Sequence, residues 1–156
     1  MSDPLDLPLE AVSARIAAGA LSPVEATEAA LDRISSVNGE LKAYQHVMAE
    51  SARAEAEARV AELARGFSRG PLHGVPIAVK DLCDTHDAPT AAGMAIHRDR
   101  QPDRDCTVVE RFRGAGAVLL GKLAMTEGAF AGHHPEMPTP LNPFNPEVWT
   151  GASSSG

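Results

Sequence analysis

Two short apolar runs, Ile77-Ala78-Val79 and Ala117-Val118-Leu119-Leu120, constrain this chain more than any other feature. Each is shorter than a stable helix and is bounded by glycine, proline or a charged residue, so both read as buried strands. Between them, Asp105 is placed to cap a helix running through Phe112, with Val108, Val109 and Phe112 on one face. Strand, helix and strand in succession form a βαβ unit, and an α/β layer architecture follows.

The residues before this unit have a different texture. Leu9, Val12 and Ile16 recur at helical spacing, with Gly19 as a stop. A second helix opens at Ser22-Pro23-Val24-Glu25. Ser22 is its cap, Pro23 suits its first position, and Glu25 completes a capping box. Val24, Thr27, Leu31 and Ile34 share a face, and Asn38-Gly39 is the expected end. Leu41 to Met48 reads as a short strand. Ala49 to Arg65, rich in Ala, Glu and Arg, reads as a helix with a solvated face that Gly66 ends. Gly70, Pro71, Gly74 and Pro76 then mark a turn. Pro89 to Gly93 is a loop, and the proline-rich stretch after Gly132 is loop-like throughout.

With 156 residues and 44 % hydrophobic content, the chain is long enough for one domain with a real core. Aromatics make up only 4 %, so that core must come from Ala, Val, Leu and Ile. The net charge is −7 and no basic stripe is present, which argues against direct contact with nucleic acid. The start Met-Ser-Asp-Pro-Leu-Asp is acidic where a signal peptide is basic. No apolar run has membrane-spanning length. Cys83 and Cys106 lack metal-ligand spacing and read as free thiols. A cytoplasmic protein with no membrane contact is expected.

Two places carry candidate chemistry. Lys80 directly follows an apolar strand. Burial there would disfavour its charged form and suit it to general-base work, whereas a snorkelling head group would reach water. Gly151-Ala152-Ser153-Ser154-Ser155-Gly156 offers hydroxyls for a proton relay and small residues for close approach, or else a flexible linker. Two further patterns fail on chemistry. Gly116 to Lys122 matches the opening of a phosphate-binding P-loop, but Leu123 stands where a Ser or Thr is needed, and the residues between the glycines read as strand. His133-His134-Pro135-Glu136 has no geometry that would align ligands on a metal.

Taken in order, the segments resemble the amidase signature family. Gly70 to Asp81 resembles its lysine strand, and Thr90-Ala-Ala-Gly93 its following loop. Asp105 to Lys122, with Glu127, resembles the next block, and Asn142-Pro143 through Gly156 the start of the signature itself. The resemblance implies an incomplete amidase signature fold: N-terminal helices plus part of a mixed β-sheet flanked by helices. Residues 1–66 would be a helical segment and residues 70–156 the start of the catalytic core, both within one domain. An exposed sheet edge would then favour poor solubility or homo-oligomers for the chain alone.

The family's chemistry is amide hydrolysis or transfer through a Ser–Ser–Lys triad. By position, Lys80 matches the catalytic lysine and Ser153 the middle serine, which the family holds in a cis peptide. The nucleophilic serine and its oxyanion loop match no residue here, and Ser154 and Ser155 do not take that role by being near. The resemblance implies a small-molecule amide substrate, no cofactor and no metal, and the remainder of an amidase chain as partner. The alternatives are a non-catalytic remnant or interaction fragment, and the amidase-type subunit of a tRNA-dependent amidotransferase. Gly121-Lys122-Leu123-Ala124, where the family often has Gly-Lys-Thr-Asn, favours a general amidase over the amidotransferase.

Overall fold

The computed structural model describes residues 4–130 and 132–156. The acidic start at Met1, Ser2 and Asp3 lies outside the described residues. In chain order the regular elements are α1 (Leu9–Ala17), α2 (Pro23–Leu41), β1 (Tyr44–Val47), α3 (Ala49–Ala64), β2 (Pro76–Lys80), α4 (Thr107–Gly114) and β3 (Val118–Leu123). Among the described residues no helix is long and apolar enough to cross a membrane.

The sheet has the order β1-β3-β2. β1 and β3 run antiparallel, with His46 opposite Lys122 and an irregularity between Tyr44 and His46. β2 and β3 run parallel. Val118 N donates to Val75 O and Asp81 N to Leu123 O, each at 2.9 Å. The expected βαβ unit is therefore present as β2-α4-β3, and the mixed sheet with its helices is an α/β fold.

The helix starts follow local chemistry. At α2, Ser22 Oγ accepts from Val24 N at 3.2 Å, and Glu25 Oε2 accepts from Ser22 N at 2.8 Å. This is the capping box read from the sequence. Its far end differs from expectation. Asn38-Gly39 does not stop α2, which continues to Leu41. Asn38 Oδ1 instead accepts from Tyr44 N at 2.8 Å, so the residue pins the entry to β1. The turn out of the helix falls at Lys42, whose φ is +53°. α3 does end as expected, at Gly66 with φ +74°.

Two burial expectations also change. In β2 only Val79 is fully buried, while Pro76, Ile77 and Ala78 are half-covered. In α4, Val109 is buried but Val108 is half exposed. Neighbours on a helix point about 100° apart, so only Val109 shares the inward face with Phe112.

The residues gather into two compact units. One takes the chain up to Ile34 with Met48–Ile77 and Glu110–Leu120; the other takes Ser35–Val47, Ala78–Val109 and Gly121–Gly156. The first is built on Val12, Ile16, Leu21, Ala26 and Val75, with Leu7, Leu63 and Ile77 against them. Glu62 is its main ionic centre, bonded to Arg59 and Arg69. The second unit buries Ala88, Ala91, Ala92, Ala124 and Met125. It also holds the proline-rich stretch, where Phe144 is 97 % exposed and Trp149 60 % exposed.

Candidate active site

Lys80 is the last residue of β2. Beyond it the chain turns at once, with Cys83 N bonded to Lys80 O at 2.9 Å. Ser153 is placed by a different route. After β3 the chain runs through Ala124, Met125 and Thr126. The last residues pair along it: Thr126 N donates to Ser153 O at 3.1 Å, Met125 bridges Ser154, and Gly156 N donates to Ala124 O at 3.0 Å. Parallel pairing of β2 with β3 thus brings the serine segment alongside the end of β2.

The two sequence-predicted residues meet there. Lys80 Nζ donates to Ser153 Oγ at 2.6 Å, within a part-buried contact. The Ala152–Ser153 peptide is cis. An amine and a hydroxyl at this distance form a path along which a proton can pass directly.

Beside this contact lies a charged pair that no sequence pattern joins, although Lys122 closes the P-loop-like run. Lys122 of β3 and Asp81 are both 0 % exposed. Lys122 Nζ donates to Thr90 Oγ1 at 2.5 Å and to Pro89 O at 3.2 Å. It stands 3.3 Å from Asp81 Oδ1 as an ion pair. Asp81 Oδ2 accepts from Ala91 N at 3.1 Å. Burial pushes the Asp81 carboxyl up, and the Lys122 charge opposes this. Burial likewise pushes the Lys122 ammonium down, against the attraction of Asp81. The one available signal was a lysine inside the apolar run Val118–Leu123. Its enclosure rules out the P-loop reading, since a phosphate could not reach it.

The loop from Pro89 to Gly93 closes over this pair. Ala92 N donates to Asp81 O at 3.2 Å. Gly93 has φ +70°, and a Cβ there would lie 2.8 Å from both Met125 O and Thr126 O. The close approach therefore needs glycine. On the surface, His86, Asp87 and Asp105 bring ligand-type atoms within 4.8 Å of one another. His86 Nδ1 is 2.8 Å from Asp105 Oδ1, which also accepts from His86 N at 2.9 Å.

The family model for amidases matches residues 25–156. The chain belongs to the amidase family. It is 58 % identical over 136 residues to the putative amidase AmiD of Mycobacterium tuberculosis, covering 87 % of this chain and 29 % of that protein. It is 42 % identical over 159 residues to a glutamyl-tRNA(Gln) amidotransferase subunit of Thermobifida fusca, covering 100 % of this chain and 32 % of that protein. Among solved structures, the native peptide amidase of Stenotrophomonas maltophilia superposes with a TM-score of 0.86 at 31 % identity, over 96 % of this chain and 32 % of that one. The chain thus spans about a third of the length of the amidases it matches.

Proposed function

We propose that these residues supply the lysine and middle serine of an amidase that cleaves carboxylic amide bonds. The observation that carries this is the 2.6 Å contact between Lys80 Nζ and Ser153 Oγ. With its amine uncharged, Lys80 takes the proton of Ser153, and Ser153 takes that of the attacking serine. The attacking oxygen adds to the amide carbonyl, and backbone N–H groups hold the developing oxyanion. The relay then returns a proton to the leaving amine, and water clears the acyl-enzyme.

The attacking serine would come from the part of the amidase domain that these residues do not include. Residues 1–66 and 70–156 would then be the helical segment and the start of the core in that one domain. The share of each relative covered supports this reading. The two free thiols support a cytoplasmic setting. The substrate class proposed is a small-molecule amide.

The test is amide hydrolysis by the reading frame that contains these residues. Lys80→Met should lower kcat by about 10²- to 10⁴-fold, and an unchanged rate in that variant would overturn the relay. A second reading, in which the chain serves an amidotransferase, is favoured by the match along this whole chain to the Thermobifida protein. Release of ammonia by the isolated enzyme supports the hydrolase. Transfer of the amide nitrogen only with other subunits present supports the second reading.

A further inference from the structure

We propose that Asp81, held by its ion pair with Lys122, is a positioning residue for Lys80. This rests on the relay reading given above. Two fully buried charges are an expensive way to join two strands, and well-packed apolar side chains would serve as well for stability alone. What apolar side chains lack is a set of partners for the backbone of the neighbouring loop.

The pair supplies those partners. Lys122 Nζ binds Pro89 O and Thr90 Oγ1. The Asp81 carboxylate takes the next N–H, that of Ala91, while Ala92 N bonds to the backbone carbonyl of residue 81, a contact independent of the side chain. Three consecutive loop residues, Pro89, Thr90 and Ala91, are thereby tied to the two charged side chains. The loop then packs through Gly93 against Met125 O and Thr126 O. Thr126 N in turn holds Ser153 O. On the other side, Asp81 N is bonded to Leu123 O and fixes the end of β2 that carries Lys80. One connected set of contacts therefore fixes both ends of the Lys80–Ser153 hydrogen bond. Asp81 is adjacent to one end, and the loop it holds supports the other.

The chain's three lysines make this measurable by pulse acetylation with acetic anhydride and mass spectrometry. Lys42 is exposed and serves as the internal standard. Lys122 is fully buried and reports opening of the core. Lys80, half-covered and bonded to Ser153, is the readout. In Asp81→Asn, labelling of Lys80 relative to Lys42 should rise by about five- to tenfold while Lys122 stays protected. An unchanged Lys80 ratio with Lys122 still protected overturns the proposal.

If Lys122 also becomes labelled in Asp81→Asn, the same criterion passes to Thr90→Val, which keeps both charges and the shape of residue 90. An opened core there too would make the group a folding element only and would overturn the positioning role. In the reading frame that carries the nucleophile, Asp81→Asn should lower kcat by about 10- to 100-fold with KM kept; an unchanged kcat counts against the role. The Lys80→Met activity measurement stands apart from the labelling. It can remove the relay without touching the labelling result, and the labelling can fail with the relay intact.

Discussion

Lys80 Nζ and Ser153 Oγ lie 2.6 Å apart although 73 residues separate them in the chain. The contact depends on β2 and β3 running side by side and on the serine segment pairing along residues 124–126. Ser153 takes part in that pairing through its backbone carbonyl. Ser153→Ala should therefore leave the fold in place while removing the hydroxyl. The expected result is an unchanged thermal midpoint, with kcat for amide hydrolysis reduced by about 10²- to 10⁴-fold in the reading frame that holds the nucleophile. Calorimetry and steady-state kinetics on the same preparation check both halves.

Gly93 is the point where the loop meets the chain beyond β3. Gly93→Ala combines a left-handed backbone with a Cβ 2.8 Å from two carbonyl oxygens, neither of which is a flexible side-chain end. A loss of about 2 kcal/mol or more in urea unfolding is expected. Gly39→Ala is the control. Nothing lies within 4 Å of the added methyl and the site is inside α2, so it should stabilise by about 0.5–1 kcal/mol.

Glu62 gives a dependence on acid. The Arg69 hydrogen bond holds its carboxyl below the ordinary carboxylate value, aided by the Arg59 charge. A group lowered on folding contributes stability that is present above its unfolded value. That stability is lost as the pH falls through the folded value. Glu62→Gln should cost about 1 kcal/mol at neutral pH. The gap between variant and native protein should close as urea titrations move into the acid range.

His86 gives the opposite sign. Its hydrogen bond to Asp105 raises the imidazole above the ordinary histidine value. The contribution is complete below that ordinary value and fades as the pH rises through the folded one. An NMR titration of the His86 ring should show the upward displacement, and Asp105→Asn should bring the midpoint down. An unmoved midpoint in that variant would sink the assignment of Asp105 as the cause.

The parts legible in the sequence were those decided by near neighbours. Ser22 and Glu25 announce the start of α2 because a capping box closes within one turn, and Gly66 announces the end of α3 by its conformation. Asn38-Gly39 misleads because the side chain of Asn38 serves Tyr44 rather than its own helix, and Gly39 faces open space where only intrinsic propensity counts. Lys80 and Ser153 were identified by resemblance to the amidases, each in its own segment. Their juxtaposition follows from strand order, which no local pattern encodes. The Asp81–Lys122 pair was hidden for the same reason. Lys122 stands out inside its apolar run, but only the parallel pairing of β2 with β3 puts the Asp81 carboxylate beside its amine.

Trp149 is the only tryptophan in the chain, is 60 % exposed, and precedes Ser153 by four residues. Its emission is thus a built-in optical probe beside the Lys80–Ser153 contact, free of background from any other indole within these residues. A polypeptide or ligand that settles over this stretch would move the emission to the blue. Binding to this face can therefore be followed in unlabelled protein.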